Sequence, residues 1–107
     1  MSGHFFESYI VSEIIKSYDN KGIRLDISHF RNKETEEIDL IIFKNNTLYP
    51  LEIKKTANPK KNMMKNFKYL EKTDMKIGNG GIICLYDKLM QLDENNYIIP
   101  ISSVINS

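Results

Sequence analysis

Residues 37–55, EIDLIIFKNNTLYPLEIKK, hold two apolar extended runs around a polar tip. The runs are 37–43 and 48–55, and the tip is Lys44-Asn45-Asn46-Thr47. The pattern predicts a β-hairpin, because Asn tolerates the positive φ that a two-residue turn needs. With Asn45-Asn46 as the loop, Lys44 faces Thr47, Asp39 faces Glu52 and Glu37 faces Lys54. Both faces of the hairpin are apolar. Ile38, Leu40, Ile42, Leu51 and Ile53 line one, and Ile41, Phe43, Leu48 and Pro50 the other. A strand pair of that kind is central, covered on each side. Only its open end, with Asp39, Glu52 and Lys54, breaks the pattern.

Residues 3–18 read as a helix. Phe6, Ile10, Val11, Ile14, Ile15 and Tyr18 fall within about 100° of Glu7 around its axis. Glu7 therefore sits inside the apolar arc. Either it complements the helix dipole from the first turn, or it projects through the core-facing side into a polar site. Residues 23–30 alternate and predict a strand, and 31–36 a charged turn. Asn58-Pro59 marks a helix start, Asn as N-cap and Pro at the first position. That helix is expected to run to about Lys72, with Met63, Phe67 and Leu70 on one face and Lys61, Lys65, Lys68 and Lys72 on the other. Gly78 to Gly81 breaks the chain. A short apolar strand follows over 81–86, then a turn over 93–96, a last strand over 97–101 and a helical turn over 102–106. The order helix, strand, hairpin, helix, strand, strand predicts an α/β sandwich, a central mixed β-sheet with a helix on each side.

Composition narrows this picture. The chain has 107 residues, enough for one domain with one core, and 41% of them are hydrophobic. The net charge of +1 gives no global attraction to nucleic acid. Residues 54–76 nevertheless hold eight lysines against Glu71 and Asp74. The single cysteine, Cys84, lies in an apolar run and reads as a buried, inert thiol. No apolar run approaches the ~18 residues of a membrane span. No basic-then-apolar leader opens the chain, so a cytoplasmic location is expected.

Asp39, Glu52 and Lys54 are spaced D-x12-E-x-K. Directly opposed carboxylates at roughly 5 Å repel by about 3 kcal/mol at an effective dielectric near 20, and a cation between them relieves this. Three carboxylates, counting Glu7, and one ammonium leave a net −2 of hard oxygen ligands. Such a set suits Mg²⁺ or Mn²⁺ and phosphodiester hydrolysis, in which a lysine stabilises charge on the phosphorane. The bland alternative leaves Asp39 and Glu52 solvated at a strand end, with Lys54 paired to Glu37. The lysine face of the second helix is either a solvated surface or a set of phosphate contacts. His4, His29 and Arg31 carry no catalytic assignment. No Ser/His/Asp triad, zinc cluster or P-loop is present.

E-I-D followed by L-E-I-K resembles the PD-(D/E)xK signature of the restriction-endonuclease-like nuclease superfamily. The residues of this chain that match it are Asp39, Glu52 and Lys54, with Glu7 from the first helix. Ile38 stands where that signature has proline. The wider pattern extends over nearly the whole chain: G-x-x-x-E-x-x-I-V at its start, then H-F-R, E-I-D, L-E-I-K-K and I-I-P-I. It is similar to an uncharacterised C-terminal domain carried by many AAA-type ATPases. The resemblance implies a restriction-endonuclease-like fold over residues 1–107 as one nuclease-like domain, a C-terminal piece of a larger ATPase. It also implies catalytic Glu7, Asp39, Glu52 and Lys54, with the three carboxylates as metal ligands. DNA is the expected partner, contacted by Lys55, Lys61, Lys65, Lys68 and Lys72. The alternative is a non-catalytic module that binds nucleic acid or protein and regulates the ATPase.

Overall fold

A computed structural model describes residues 3–31 and 37–105. The charged turn expected over 31–36 falls, apart from Arg31, outside the described residues. The chain opens with α1 (Gly3–Asn20), followed by β1 (Asp26–Arg31) and the hairpin β2 (Glu37–Lys44) and β3 (Thr47–Ile53). A 3₁₀-helix (Lys61–Lys72) leads to β4 (Lys76–Ile77), β5 (Gly80–Cys84), β6 (Met90–Gln91), β7 (Asn96–Pro100) and α2 (Ile101–Ile105). Among the described residues these strands form one mixed sheet of order β1-β2-β3-β5-β7-β6, with β4 paired to β3. β1, β2 and β3 are antiparallel, β3, β5 and β7 are parallel, and β6 is antiparallel to β7. The α/β architecture with a mixed central sheet is thus observed. The short strands β4 and β6 add to the expected elements.

The hairpin register is that of a two-residue loop: Lys44 pairs with Thr47 and Leu40 with Leu51. Asn45 and Asn46 have φ of 52° and 61°, the left-handed pair of a type I′ turn, whose twist matches that of the strands. In this register Pro50 and Ile41 oppose each other without exchanging hydrogen bonds. The missing N–H of Pro50 therefore points to the other neighbour. There the adjacent chain passes from β4, paired with Thr47 and Leu48, to β5, paired from Leu51 onward. A proline is tolerated in this central strand because it sits at that gap.

Helices cover both faces. Phe6, Ile10 and Ile14 of α1 pack on Leu40, Leu51, Ile53 and Ile83, with Ile101 and Val104 of α2 at the margin. On the opposite face Met64 packs on Ile82, Cys84 and Ile98, and Leu70 on Ile38 and Ile41. Fully burying a side chain such as Ile10 or Ile83 contributes roughly 1.5–3 kcal/mol. Burial raises the pKa of the Cys84 thiol, which keeps it protonated and inert. No described helix is long and apolar enough to cross a membrane.

The second helix departs from expectation. It begins at Lys61, not Pro59; its N-cap is Lys60, with φ −133° and ψ 149° and no side-chain cap bond. Its winding is 3₁₀, so residues three apart stack. The ridge turned to the sheet is therefore Met64, Phe67 and Leu70, and the expected Met63 packs half-buried against the same cluster as Met64. Thr73 closes the C-terminal end, its N–H and hydroxyl both donating to the Leu70 carbonyl at 3.0 and 2.8 Å.

Candidate active site

The site forms where the β2–β3 ladder ends. Between the pairs Ser28↔Ile41 and Phe30↔Ile38, β1 advances two residues and β2 three. Asp39 and Leu40 together therefore oppose His29 in a β-bulge, a feature that bends a strand and re-aims its side chains. Leu40 keeps its place toward α1, whereas Ile38 swings to the 3₁₀-helix side with Ile41 and Leu70. In an unbroken ladder the Ile53 N–H would donate to the Ile38 carbonyl. It donates instead to Asp39 Oδ2 at 2.9 Å. The carboxylate thus replaces a ladder bond and is held rigidly at the strand end.

Glu52 lies beside it, with a side chain only 4% exposed. Its Oε1 is 3.5 Å from Lys54 Nζ, and the Lys54 side chain is 42% exposed. Its Oε2 has no hydrogen-bond partner among the described residues. Burial first, and then the charge of Asp39, push the Glu52 pKa from an ordinary 4.5 to about 8, against the opposing pull of Lys54. The Asp39 carboxylate is itself an acceptor, so only a proton between the two carboxyls makes a hydrogen bond there. Beyond β3, the Lys54 N–H donates to the Ile83 carbonyl at 2.9 Å, which holds Lys54 against β5.

Glu7 is in the second turn of α1, too far along to serve the helix N-terminus. It shares a cavity of about 530 Å³ with Asp39, His4, His29 and Arg31. Its pKa is raised by burial, then by Asp39 and Glu37, and lowered by Lys54 and His4. Glu52 and Lys54 open on a second recess, of about 340 Å³, roofed by Asn62, Met63, Lys65 and Asn66. Glu37 borders both cavities. Asp39 therefore stands between Glu7 on one side and Glu52 on the other. No three His, Cys, Asp or Glu among the described residues are gathered closely enough to hold a metal ion as a set. The structure joins Asp39, Glu52 and Lys54 tightly and Glu7 at longer range.

The expected Glu37–Lys54 cross-strand pair does not form. The ladder ends before it, and Glu37 Oε2 meets Arg31 Nη2 at 3.2 Å. The lysines also separate. Lys65 reaches the Glu52 recess, and Lys68 and Lys72 lie over the Tyr69 ring. Lys61 instead acts on Asp93, whose pKa it helps to lower after the stronger effect of hydrogen bonds from Asn95 and Asn96. Lys55 is exposed just past β3. Asn66, which donates from Nδ2 to the Glu37 carbonyl at 2.9 Å, ties the roof to the sheet. Nothing in the sequence pattern singled it out, because the contact joins residues 29 apart.

Fold and site define an α/β domain with a buried glutamate, a half-buried aspartate beside it and a lysine at the open end of its central hairpin. The chain belongs to the family described as Domain of unknown function (DUF4143), whose model matches residues 2–104. No curated protein and no solved structure matches it.

Proposed function

We propose that this domain hydrolyses DNA phosphodiester bonds with Mg²⁺ or Mn²⁺, on a restriction-endonuclease-like fold, as part of a larger AAA-type ATPase. The observation that carries this reading is the orphaned Oε2 of Glu52. Ionised, that oxygen is a buried charged acceptor without a donor, which costs more than the about 1–3 kcal/mol of a neutral one, and Asp39 adds repulsion; a proton relieves this up to about pH 8. A divalent cation answers both. Asp39 and Glu52 would hold it, since Mg²⁺ is commonly bound through one or two carboxylates and keeps several waters. The chemistry such a cation supplies when bound is polarisation of a phosphoryl oxygen and acidification of a water.

The chain's own groups do the rest. The bulge and the Ile53 N–H fix Asp39 before any ligand arrives. Lys54, half in water, carries an ammonium from the edge of the acidic pair toward an entering phosphate, where it stabilises developing negative charge. Glu7 adds negative potential from the far side of Asp39. The test is incubation with plasmid or single-stranded DNA and Mg²⁺ or Mn²⁺. Cleavage is expected from the wild type, is abolished by chelator, and falls by about 10²–10³ in Lys54→Ala. A wild type that leaves both substrates intact refutes hydrolysis.

A second reading is a non-catalytic module that binds nucleic acid or protein and regulates the ATPase. It is favoured by Lys54 already lying on Glu52, and by the lack of a three-ligand set among the described residues. Fold alone does not decide between the two. A metal response in melting experiments separates them.

A further inference from the structure

We propose that the ligand of this domain is single-stranded nucleic acid, led from the Glu52–Lys54 recess along the 3₁₀-helix by Lys65, Lys68 and Lys72. The inference rests on reading that recess as a phosphodiester site. In a 3₁₀-helix residues three apart stack, so Asn62, Lys65 and Lys68 form one ridge, with successive members about 6 Å apart along the axis. Asn62 and Lys65 line the recess that holds Glu52 and Lys54. Lys65 therefore stands at the recess and Lys68 next beyond it; Glu71 ends this ridge, and Lys72 stands on the neighbouring one with Asn66 and Tyr69.

The far end of the lysine line is organised by an aromatic ring. Tyr69 stacks on Phe30 of β1, centroids 6.1 Å apart and planes 11° from parallel. Lys68 Nζ and Lys72 Nζ each lie 5.5 Å from the Tyr69 centroid. The ring attracts each cation, but the two repel one another, and neither makes an ion pair among the described residues. An anion between them removes that repulsion. When the ammonium groups turn to phosphates, the Tyr69 ring lies beside the bound backbone, where a base can meet it. Lysines that follow a backbone beside an aromatic ring are the features by which proteins hold single strands. With a net charge of only +1, attraction has to come from this local line.

The recess itself selects the strand. The Glu52 side chain is 4% exposed, and its roof is pinned by the Asn66–Glu37 hydrogen bond. A phosphodiester has to enter under that roof to meet Glu52 and Lys54 from the side of the 3₁₀-helix. A single strand bends freely enough to do so. A duplex is stiff over roughly 150 base pairs and carries its second strand alongside, so its phosphates stay outside.

Fluorescence anisotropy in EDTA tests the proposal, with a labelled single strand of about 20 nucleotides, longer than one binding site, and the matching duplex. The single strand is expected to bind at least about tenfold more tightly than the duplex at low salt. Lys68→Glu/Lys72→Glu should weaken that binding by more than about tenfold and reduce the salt slope by about 1.4. Lys16→Glu/Lys88→Glu changes the charge equally, away from the ridge, and should stay within about threefold of wild type. Melting temperatures check that each variant is folded. Equal or tighter duplex binding, a Lys68→Glu/Lys72→Glu protein that binds like wild type, or a control that loses as much overturns the proposal. Selective single-strand binding without cleavage in Mg²⁺ refutes hydrolysis and leaves the strand preference standing. Cleavage of duplex in preference to single strand does the reverse.

Discussion

The Asp39 carboxylate accepts the Ile53 backbone N–H at 2.9 Å, across the hairpin from its own strand. This bond substitutes for a rung of the β-ladder at the point where β2 bulges. A single side chain thus ends the pairing, satisfies the freed donor and places a negative charge beside Glu52.

Asp39→Asn and Asp39→Ala should therefore differ. The amide oxygen of the first variant still accepts the Ile53 N–H, and the change removes the charge that opposes Glu52. In metal-free buffer the Asp39→Asn protein is expected to melt at or above the wild-type temperature. Alanine leaves the Ile53 donor unpaired and should cost about 1 kcal/mol, or about 4–8 °C in a domain of this size. Equal melting of the two variants would show that the hydrogen bond contributes nothing.

The pH dependence follows from Glu52. Its folded pKa of about 8 lies above its ordinary 4.5. Between those values the folded protein holds a proton that the unfolded chain has released. The associated stability is complete below about pH 4.5 and is lost as pH rises through about 8. Glu7, also raised, acts in the same direction. Glu52→Gln stays neutral throughout, so it should be progressively more stable than the wild type as pH climbs across this window. Denaturant titrations from pH 4 to 9, about the whole window, check it. A stability difference that does not change with pH would contradict the burial and charge argument.

Millimolar Mg²⁺ or Mn²⁺ should raise the wild-type melting temperature. A ligand specific to the folded state contributes about 2.7 kcal/mol at a hundredfold excess over its dissociation constant. Asp39→Asn should lose that response while remaining folded. If the wild type does not respond by melting or calorimetry, even with DNA present, the hydrolytic reading gives way to the binding module.

Gly81 pairs with Leu51 on one side and with Tyr97 on the other. A methyl group at Gly81 would collide with the Tyr97 carbonyl oxygen, a backbone atom that cannot turn aside. Gly81→Ala should push β7 from β5 and lower stability by about 1–3 kcal/mol. Thermal unfolding measures this; a loss below about 0.5 kcal/mol would mean that the sheet yields easily there.

The hairpin was legible from residues 37–55 alone because its causes are local. Period-two patterning sets the faces, and two Asn residues at positive φ set the loop and so the register. Asp39, Glu52 and Lys54 could be grouped from spacing for the same reason. The bulge at Asp39-Leu40 had no such signal, because an extra residue in β2 exists only relative to β1. Met63 and Met64 are equally apolar, and an α-helical count favours the first. In the 3₁₀ winding Met64, Phe67 and Leu70 stand in line, so Met64 is the buried one and Met63 packs half-buried beside it.

Local chemistry, then, determined which residues are extended, where the chain turns, and that an acidic pair and a lysine share one end of the hairpin. Tertiary structure alone decided that Glu52 is buried and Lys54 half-exposed, and that Glu7 stands on the far side of Asp39. It also sent Lys61 to Asp93 while Lys65 roofs the recess. Burial, and the charge environment that shifts a pKa, depend on elements far apart in the chain, and a side chain's own sequence neighbours do not specify them.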